Sequence, residues 1–137
     1  MQQLTVFTDG GSRGNPGHAG IGFLILPETK IGKYIGVATN NQAEYTAVLE
    51  ALKYIVNNFA EELEIQFYLD SQLVVEQLNG NYKLKNEGLK PLFWEIRDLI
   101  LRLGGKVFFQ HVPREQNKVA DKLVNEAIDE AMMKGNA

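Results

Sequence analysis

The chain has 137 residues, 45% of them hydrophobic and 23% charged, enough for one globular domain with a continuous core. It contains no cysteine, which excludes disulfides and thiolate metal sites, and no apolar run approaches the roughly 18 residues that cross a bilayer. The formal net charge of −3 excludes a bulk basic footprint, so any reading as a nucleic-acid binder must rest on particular residues.

The amino-terminal MQQLTVFTDGG lacks the charged, apolar, small-residue order of a signal peptide, so the expected location is cytoplasmic. Leu4 to Thr8 reads as a short buried strand closed by Asp9-Gly10-Gly11, with a glycine-rich loop running on to Gly17. Ile21 to Leu26 is a second strand, Pro27 to Thr29 a turn and Ile31 to Val37 a third strand, and connections this short join antiparallel neighbours. Thr39, Asn40 and Asn41 are helix-capping types, and a helix is predicted from Gln42 to Asn57. Glu64 to Leu69 is a fourth strand closed by Asp70-Ser71. Leu73 to Leu78 is a short helix ended by Asn79-Gly80 as a left-handed cap. The segment from Asn81 to Lys90 is polar and basic. Pro91 suits a first helical turn, and that helix runs to Leu103. Lys106 to His111 is a fifth strand, Val112 to Gln116 a loop, and Asn117 caps a last helix from Lys118 to about Met133. The tail from Lys134 to Ala137 is expected to fray. Without repeat, linker or low-complexity tract, residues 1–137 are expected to form a single α/β domain, a mixed sheet with helices packed on it.

Four acids stand out within this order. Asp9 and Asp70 each end an apolar strand, and if those strands lie parallel and adjacent, both side chains emerge at one edge of the sheet, where such sheets bind ligands. An aspartate after a strand is also an ordinary turn former. Glu44 is followed at helical spacing by Val48, Ala51 and Ile55, and Asp121 by Val124, Ile128 and Met132. Each therefore begins a helix face that should point at the sheet, where an unpaired carboxylate is costly. The helix dipole offers a purely structural account of an acid in a first turn. Gathered together, the four would repel one another unless cations or protons intervened. An oxygen-only site of this kind suits Mg²⁺ or Mn²⁺ rather than zinc, and pairs of such ions serve phosphoryl transfer.

The motifs FTDGGSRGNPG (Phe7 to Gly17), TNNQAE (Thr39 to Glu44), LDSQ (Leu69 to Gln72) and VPREQNKVAD (Val112 to Asp121), in this order, resemble those of the type 1 ribonucleases H. The likeness spans essentially the whole chain. It implies a five-stranded mixed sheet, three antiparallel strands followed by two parallel additions, flanked by helices. It further implies an endonuclease that cuts the RNA strand of RNA/DNA hybrids by a two-metal-ion mechanism, leaving 5′-phosphate and 3′-hydroxyl ends. Asp9, Glu44, Asp70 and Asp121 match the carboxylates that hold two Mg²⁺ ions, with Mn²⁺ as a substitute. Gly10, Gly11, Asn15, Asn40, Asn41 and Gln72 match contacts to the hybrid, and Thr39 a side chain near a DNA phosphate. Glycine permits close approach of the backbone to a nucleic acid, and amide side chains can sense a 2′-hydroxyl.

The chain departs from many family members in two ways. The basic protrusion after the short helix is reduced to Asn81 to Lys90, with Lys83, Lys85 and Lys90, and no appended hybrid-binding module is expected. Affinity is therefore expected to be modest and steeply salt-dependent. Where well-studied members carry a mobile histidine before the last acid, this chain offers His111 and Arg114, of which Arg114 is the expected accessory group. A monomer without an obligate protein partner is expected. The alternatives are a related nuclease or resolvase on the same fold, or a catalytically inactive nucleic-acid-binding module.

Overall fold

The computed structural model describes residues 2–59 and 62–135. It contains five strands, β1 (Gln2–Gly14), β2 (Gly17–Ile25), β3 (Thr29–Ala38), β4 (Leu63–Leu69) and β5 (Val107–His111). Four helices accompany them, α1 (Asn40–Asn58), α2 (Gln72–Leu78), α3 (Lys90–Arg102) and α4 (Lys118–Met133). The strands form one sheet in the order β3-β2-β1-β4-β5. β1, β2 and β3 are antiparallel neighbours, while β4 lies parallel to β1 and β5 parallel to β4. This is the mixed sheet expected from the order of elements. Of the tail expected to fray, Asn136 and Ala137 lie outside the described residues. Among the described residues no helix is long and apolar enough to cross a membrane.

The core follows from alternation in the strands and from helical spacing in α1. In β4, Leu63, Ile65, Phe67 and Leu69 point inward, and Phe67 stacks on Phe109 of β5. Against them α1 places Val48, Leu52 and Ile55, and α3 adds Ile96 and Leu99. A fully buried side chain of this size contributes about 1.5–3 kcal/mol relative to leaving it in water. α1 begins two residues earlier than its apolar spacing predicts, because Thr39 is its cap: Thr39 Oγ1 accepts from Gln42 N at 3.1 Å and Gln42 Oε1 accepts from Thr39 N at 2.9 Å. The early start puts Glu44 beyond the first turn, where the helix dipole no longer accounts for it. Gly80 adopts the left-handed conformation foreseen after α2, with φ +81°, and Pro91 lies in the first turn of α3.

β1 departs most from expectation. It continues through Asp9, Gly10 and Gly11 to Gly14, paired with β2 down to Gly14↔Gly17, so the predicted glycine-rich loop is mostly strand. What ends near Asp9 is the pairing with β4, whose last register pair is Phe7↔Tyr68. The chain of β4 then turns away through Asp70 into α2, leaving a notch beside β1.

A glycine of β1 lets α1 settle close at this notch. A Cβ on Gly10 would collide with the backbone carbonyl of Ala43 in α1 and lie 2.6 Å from Glu44 N. A Cβ on Gly11 would point the other way, toward Val124 of α4 at 3.9 Å. α4 rests on a similar bed further along: Cβ atoms on Gly22 and Gly32 would lie 2.8 Å from Leu123 Cβ and 2.7 Å from its carbonyl oxygen. Gly10→Ala is therefore expected to lower stability by at least the roughly 1–3 kcal/mol of an overpacked core site. Gly11→Ala, with ordinary contact distances, should stay close to wild type in stability. Urea unfolding of the two variants checks this, and equal midpoints would contradict the close approach of α1.

Candidate active site

Each acid reaches the notch from a different element. Asp9 projects from β1 on the side of Phe7 and Gly11, the face on which α4 packs, and is only 7% exposed. Asp70 follows the last residue of β4, Glu44 comes from the second turn of α1, and Asp121 from the first turn of α4. One carboxylate oxygen from each of Asp9, Glu44 and Asp70 lies within 4.8 Å of the others. Asp121 stands close enough to Asp9 to hydrogen-bond with its carboxyl group. All four line one open cleft of about 400 Å³.

This crowding sets the electrostatics. Burial, then the charges of Asp70 and Asp121 and the contact with Asp121, push the Asp9 carboxyl up from 3.8 to about 8, against a smaller lowering by the Gly10 amide. Burial, followed by Asp9 and Asp70, also holds Glu44 well above the usual carboxylate range, while Arg114 pulls it down. Glu44 Oε2 is buried with no hydrogen-bond partner among the described residues. An orphaned carboxylate oxygen facing two other acids is poorly satisfied by protein alone. Such a donor set fits hard divalent cations, which take oxygen ligands and favour the ionised carboxylates.

The cleft also gathers several of the other predicted residues. Gly10, Gly11 and Asn40 line it. Asn15 stands behind Asn40, its Oδ1 accepting from Asn40 N at 3.1 Å, and Asn40 Oδ1 accepts from Ser12 N at 2.9 Å and Ser12 Oγ at 3.0 Å. The start of α1 is thereby tied to the far end of β1. Thr39 and Asn41 flank Asn40 without lining the cleft, and the Thr39 hydroxyl is engaged in its cap. Gln72 is exposed next to Ser71, which does line the cleft. Arg114 lies in a single 3₁₀ turn, Arg114–Gln116, at the rim. His111 is exposed on β5 and is not among the cleft residues.

Asn117 corrects the sequence reading. It occupies the capping position of α4 but makes no side-chain cap hydrogen bond. Its amide turns inward, donating to Thr8 O at 2.8 Å and to Asp70 Oδ2 at 3.3 Å. Its spacing of four residues before Asp121 was the available signal, since residues four apart share a helix face. Arg13, at the other end of the cleft, was also missed. It is held to α4 by Asp129 at 2.7 Å.

Comparison with known proteins gives a consistent set of likenesses. Residues 7–127 match the family described as reverse transcriptase-like. The bifunctional protein Rv2228c of Mycobacterium tuberculosis is 38% identical over 137 residues, covering 94% of this chain but 36% of its own length, so the chain spans about a third of that relative. Ribonuclease HI of Halobacterium salinarum is 38% identical over 134 residues, covering 94% of this chain and 66% of the relative. LC11-RNase H1, isolated from compost by a metagenomic approach, superposes with a TM-score of 0.90 at 42% identity, covering 96% of this chain and 99% of that one. The same protein in complex with an RNA/DNA hybrid superposes with a TM-score of 0.89 at 41% identity, covering 94% and 99%.

The raised Asp9 value fixes the sign of a stability change. Between pH 4 and 8 the folded state keeps a proton that the unfolded chain, with its carboxyl near 3.8, has already lost. Stability is then expected to be greatest below about pH 4 as far as Asp9 is concerned, and to be lost as pH rises toward 8. In metal-free buffer Asp9→Asn should flatten that slope and raise the unfolding midpoint at pH 8 by roughly 4 °C for each kcal/mol recovered. Mg²⁺ or Mn²⁺ should raise the wild-type midpoint by mass action. Thermal unfolding with chelator present, repeated with each cation, measures all three effects; a wild-type midpoint indifferent to cation and to Asp9→Asn would count against a clustered site.

Proposed function

The chain belongs to the type 1 ribonuclease H family, and from that premise we propose that it hydrolyses the RNA strand of RNA/DNA hybrids, leaving 5′-phosphate and 3′-hydroxyl ends. The observation that carries this reading is the convergence of Asp9, Glu44, Asp70 and Asp121 on one open cleft at the notch between β1 and β4. The family is metal-dependent, and in our reading these four carboxylates hold two Mg²⁺ ions, with Mn²⁺ able to replace them. When bound there, the ions supply Lewis-acid stabilisation of the charge that builds on the scissile phosphate and on the leaving 3′ oxygen.

The chain's own groups then have distinct tasks. The four acids carry the negative charge that draws cations into the notch and hold it at fixed spacing on four packed elements. Gly10 and Gly11 keep the strand surface low, so a sugar-phosphate chain can come close. Asn15, Asn40, Asn41 and Gln72 offer amides that donate and accept, the type of group that distinguishes ribose from deoxyribose. Thr39 stands beside them as a phosphate contact. Arg114 is an accessory cation: it attracts the scissile phosphate or eases its departure after cleavage, and because a guanidinium stays charged it does not shuttle protons. A hybrid-bound structure of LC11-RNase H1 supports the choice of substrate. The single sheet shared by the described strands supports reading residues 1–137 as one domain. We read it as a monomer acting in the cytoplasm.

Cleavage of end-labelled hybrid, with and without Mg²⁺, tests the activity. Asp9→Asn and Asp70→Asn are expected to fold and to lose about 10³-fold or more in kcat, about 4 kcal/mol of transition-state stabilisation. Substituting 2′-deoxyribose around the scissile link should prevent cutting, whereas equal cutting of all-DNA duplex would point to a related nuclease on the same fold.

Arg114→Ala should lower kcat roughly tenfold, about 1.4 kcal/mol, with little change in KM. His111→Ala should leave both near wild type across pH 6 to 9. A large kcat loss in a stable His111→Ala protein, with Arg114→Ala silent, would reverse these roles.

A further inference from the structure

Asn117 is 1% exposed, and its side chain lies at the junction of the three elements that supply Asp9, Asp70 and Asp121. Nδ2 has two hydrogens and uses both: it donates to the carbonyl oxygen of Thr8, the residue before Asp9, at 2.8 Å, and to Asp70 Oδ2 at 3.3 Å. The backbone of the same residue completes the junction. Its carbonyl accepts from Asp121 N at 3.1 Å, and its N–H donates to Arg114 O at 2.9 Å. One buried residue thus touches β1 next to Asp9, the acid that follows β4, the first turn of α4 and the turn that carries Arg114.

The orientation of the amide is set by chemistry. Turned over, it would place its oxygen against a carbonyl and a carboxylate, two acceptors facing an acceptor. In the orientation present, Oδ1 is buried without a hydrogen-bond partner among the described residues. A residue selected to cap α4 would direct a side-chain oxygen at the free N–H groups of the first turn, and Asn117 does not. The uncharged donor has a further consequence. A lysine or arginine at this junction would hold Asp70 more tightly but would cancel part of the negative charge that draws cations in. A carboxamide orients the carboxylate and leaves the cluster's charge unchanged.

We propose that Asn117 is a positioning residue, whose buried carboxamide sets Asp70 and the Thr8–Asp9 segment against the first turn of α4 and so fixes the spacing of three of the four acids before a cation arrives. The inference rests on the reading of these acids as an ion-holding site. It concerns Asn117 through its effect on their geometry, without contact to substrate.

Asn117→Leu keeps the side-chain shape and removes both donors. By isothermal titration with Mn²⁺, the folded variant is expected to bind at least tenfold more weakly than wild type. In hybrid cleavage at saturating Mg²⁺ its kcat should fall about tenfold or more while KM stays within twofold. A residue with only a structural role would lower the unfolding midpoint and leave Mn²⁺ affinity and kcat intact, and that result overturns the proposal. Asp70→Asn separates the two levels. If Asp70→Asn binds Mn²⁺ as wild type does, the ion-holding site itself is misread. If Asp70→Asn loses Mn²⁺ while folded Asn117→Leu keeps wild-type affinity and kcat, the positioning role alone fails. Should Asn117→Leu not fold, NMR of the wild-type side-chain amides decides. The Asn117 amide protons should exchange with solvent far more slowly than those of exposed Asn86 and shift when Mg²⁺ is added. Exchange as fast as Asn86 with no response to Mg²⁺ overturns the proposal.

Discussion

Like charges brought close together in a partly buried notch repel one another, and the architecture around this site is arranged to impose that repulsion. Asp9 is pushed to about 8 by burial first and by its acidic neighbours second. Left to itself, a chain relieves such crowding by moving a helix or a strand end outward. Here the movement is opposed by the core. β1 is paired with β4 up to Phe7 and with β2 from Val6 to Gly14, α1 buries Val48, Leu52 and Ile55, and α4 lies on strands whose glycines let it approach closely. Hydrophobic burial elsewhere thus holds acids where they would not otherwise stay, and the tension is relieved when protons or cations enter.

The notch has a topological origin. A parallel pair must end where one partner leaves for its crossover, and β4 leaves at Asp70 while β1 runs on against β2. The edge so exposed is reachable from both faces of the sheet. Glu44 arrives from the α1 side because Gly10 withholds a side chain there, and Asp121 from the α4 side because Gly22 and Gly32 of the neighbouring strands let α4 lie close. Two adjacent glycines in a strand would ordinarily weaken it. At Gly10 local strand preference gives way to the close approach of α1.

Polar groups around the acids divide by charge. Arg114 stands at the exposed rim, close enough to lower Glu44 yet open to solvent. The buried group that touches an acid is a neutral amide, Asn117 beneath Asp70, and the exposed amides of Asn15 and Asn40 tie β1 to the start of α1. A cation buried among the carboxylates would compete with the ions they are built to hold, whereas one at the rim acts on a polyanion as it approaches. The chain's net charge of −3 is compatible with such a substrate for this reason.

Much was legible in the sequence because it is written in short-range patterns. Alternation and helical spacing located every strand and helix to within a few residues, except the far half of β1. Glu44 and Asp121 stood out as acids beginning apolar helix faces, and four motifs in order carried the family resemblance. Three features depended on partners distant in the chain. The extension of β1 through Asp9 to Gly14 depends on pairing with β2, which overrides the turn preference of an Asp-Gly-Gly run. The placement of Arg114 at the cleft and His111 away from it depends on how the chain turns after β5, through Arg114–Gln116, toward α4. The inward turn of the Asn117 amide depends on a carbonyl 109 residues away in sequence and a carboxylate 47 residues away. The sequence by itself determined which groups the site contains and which elements carry them, because those follow from residue type and local spacing. Tertiary structure alone decided their distances and orientations, because a hydrogen bond or a shared charge depends on separation in space, and spacing along the chain does not encode it.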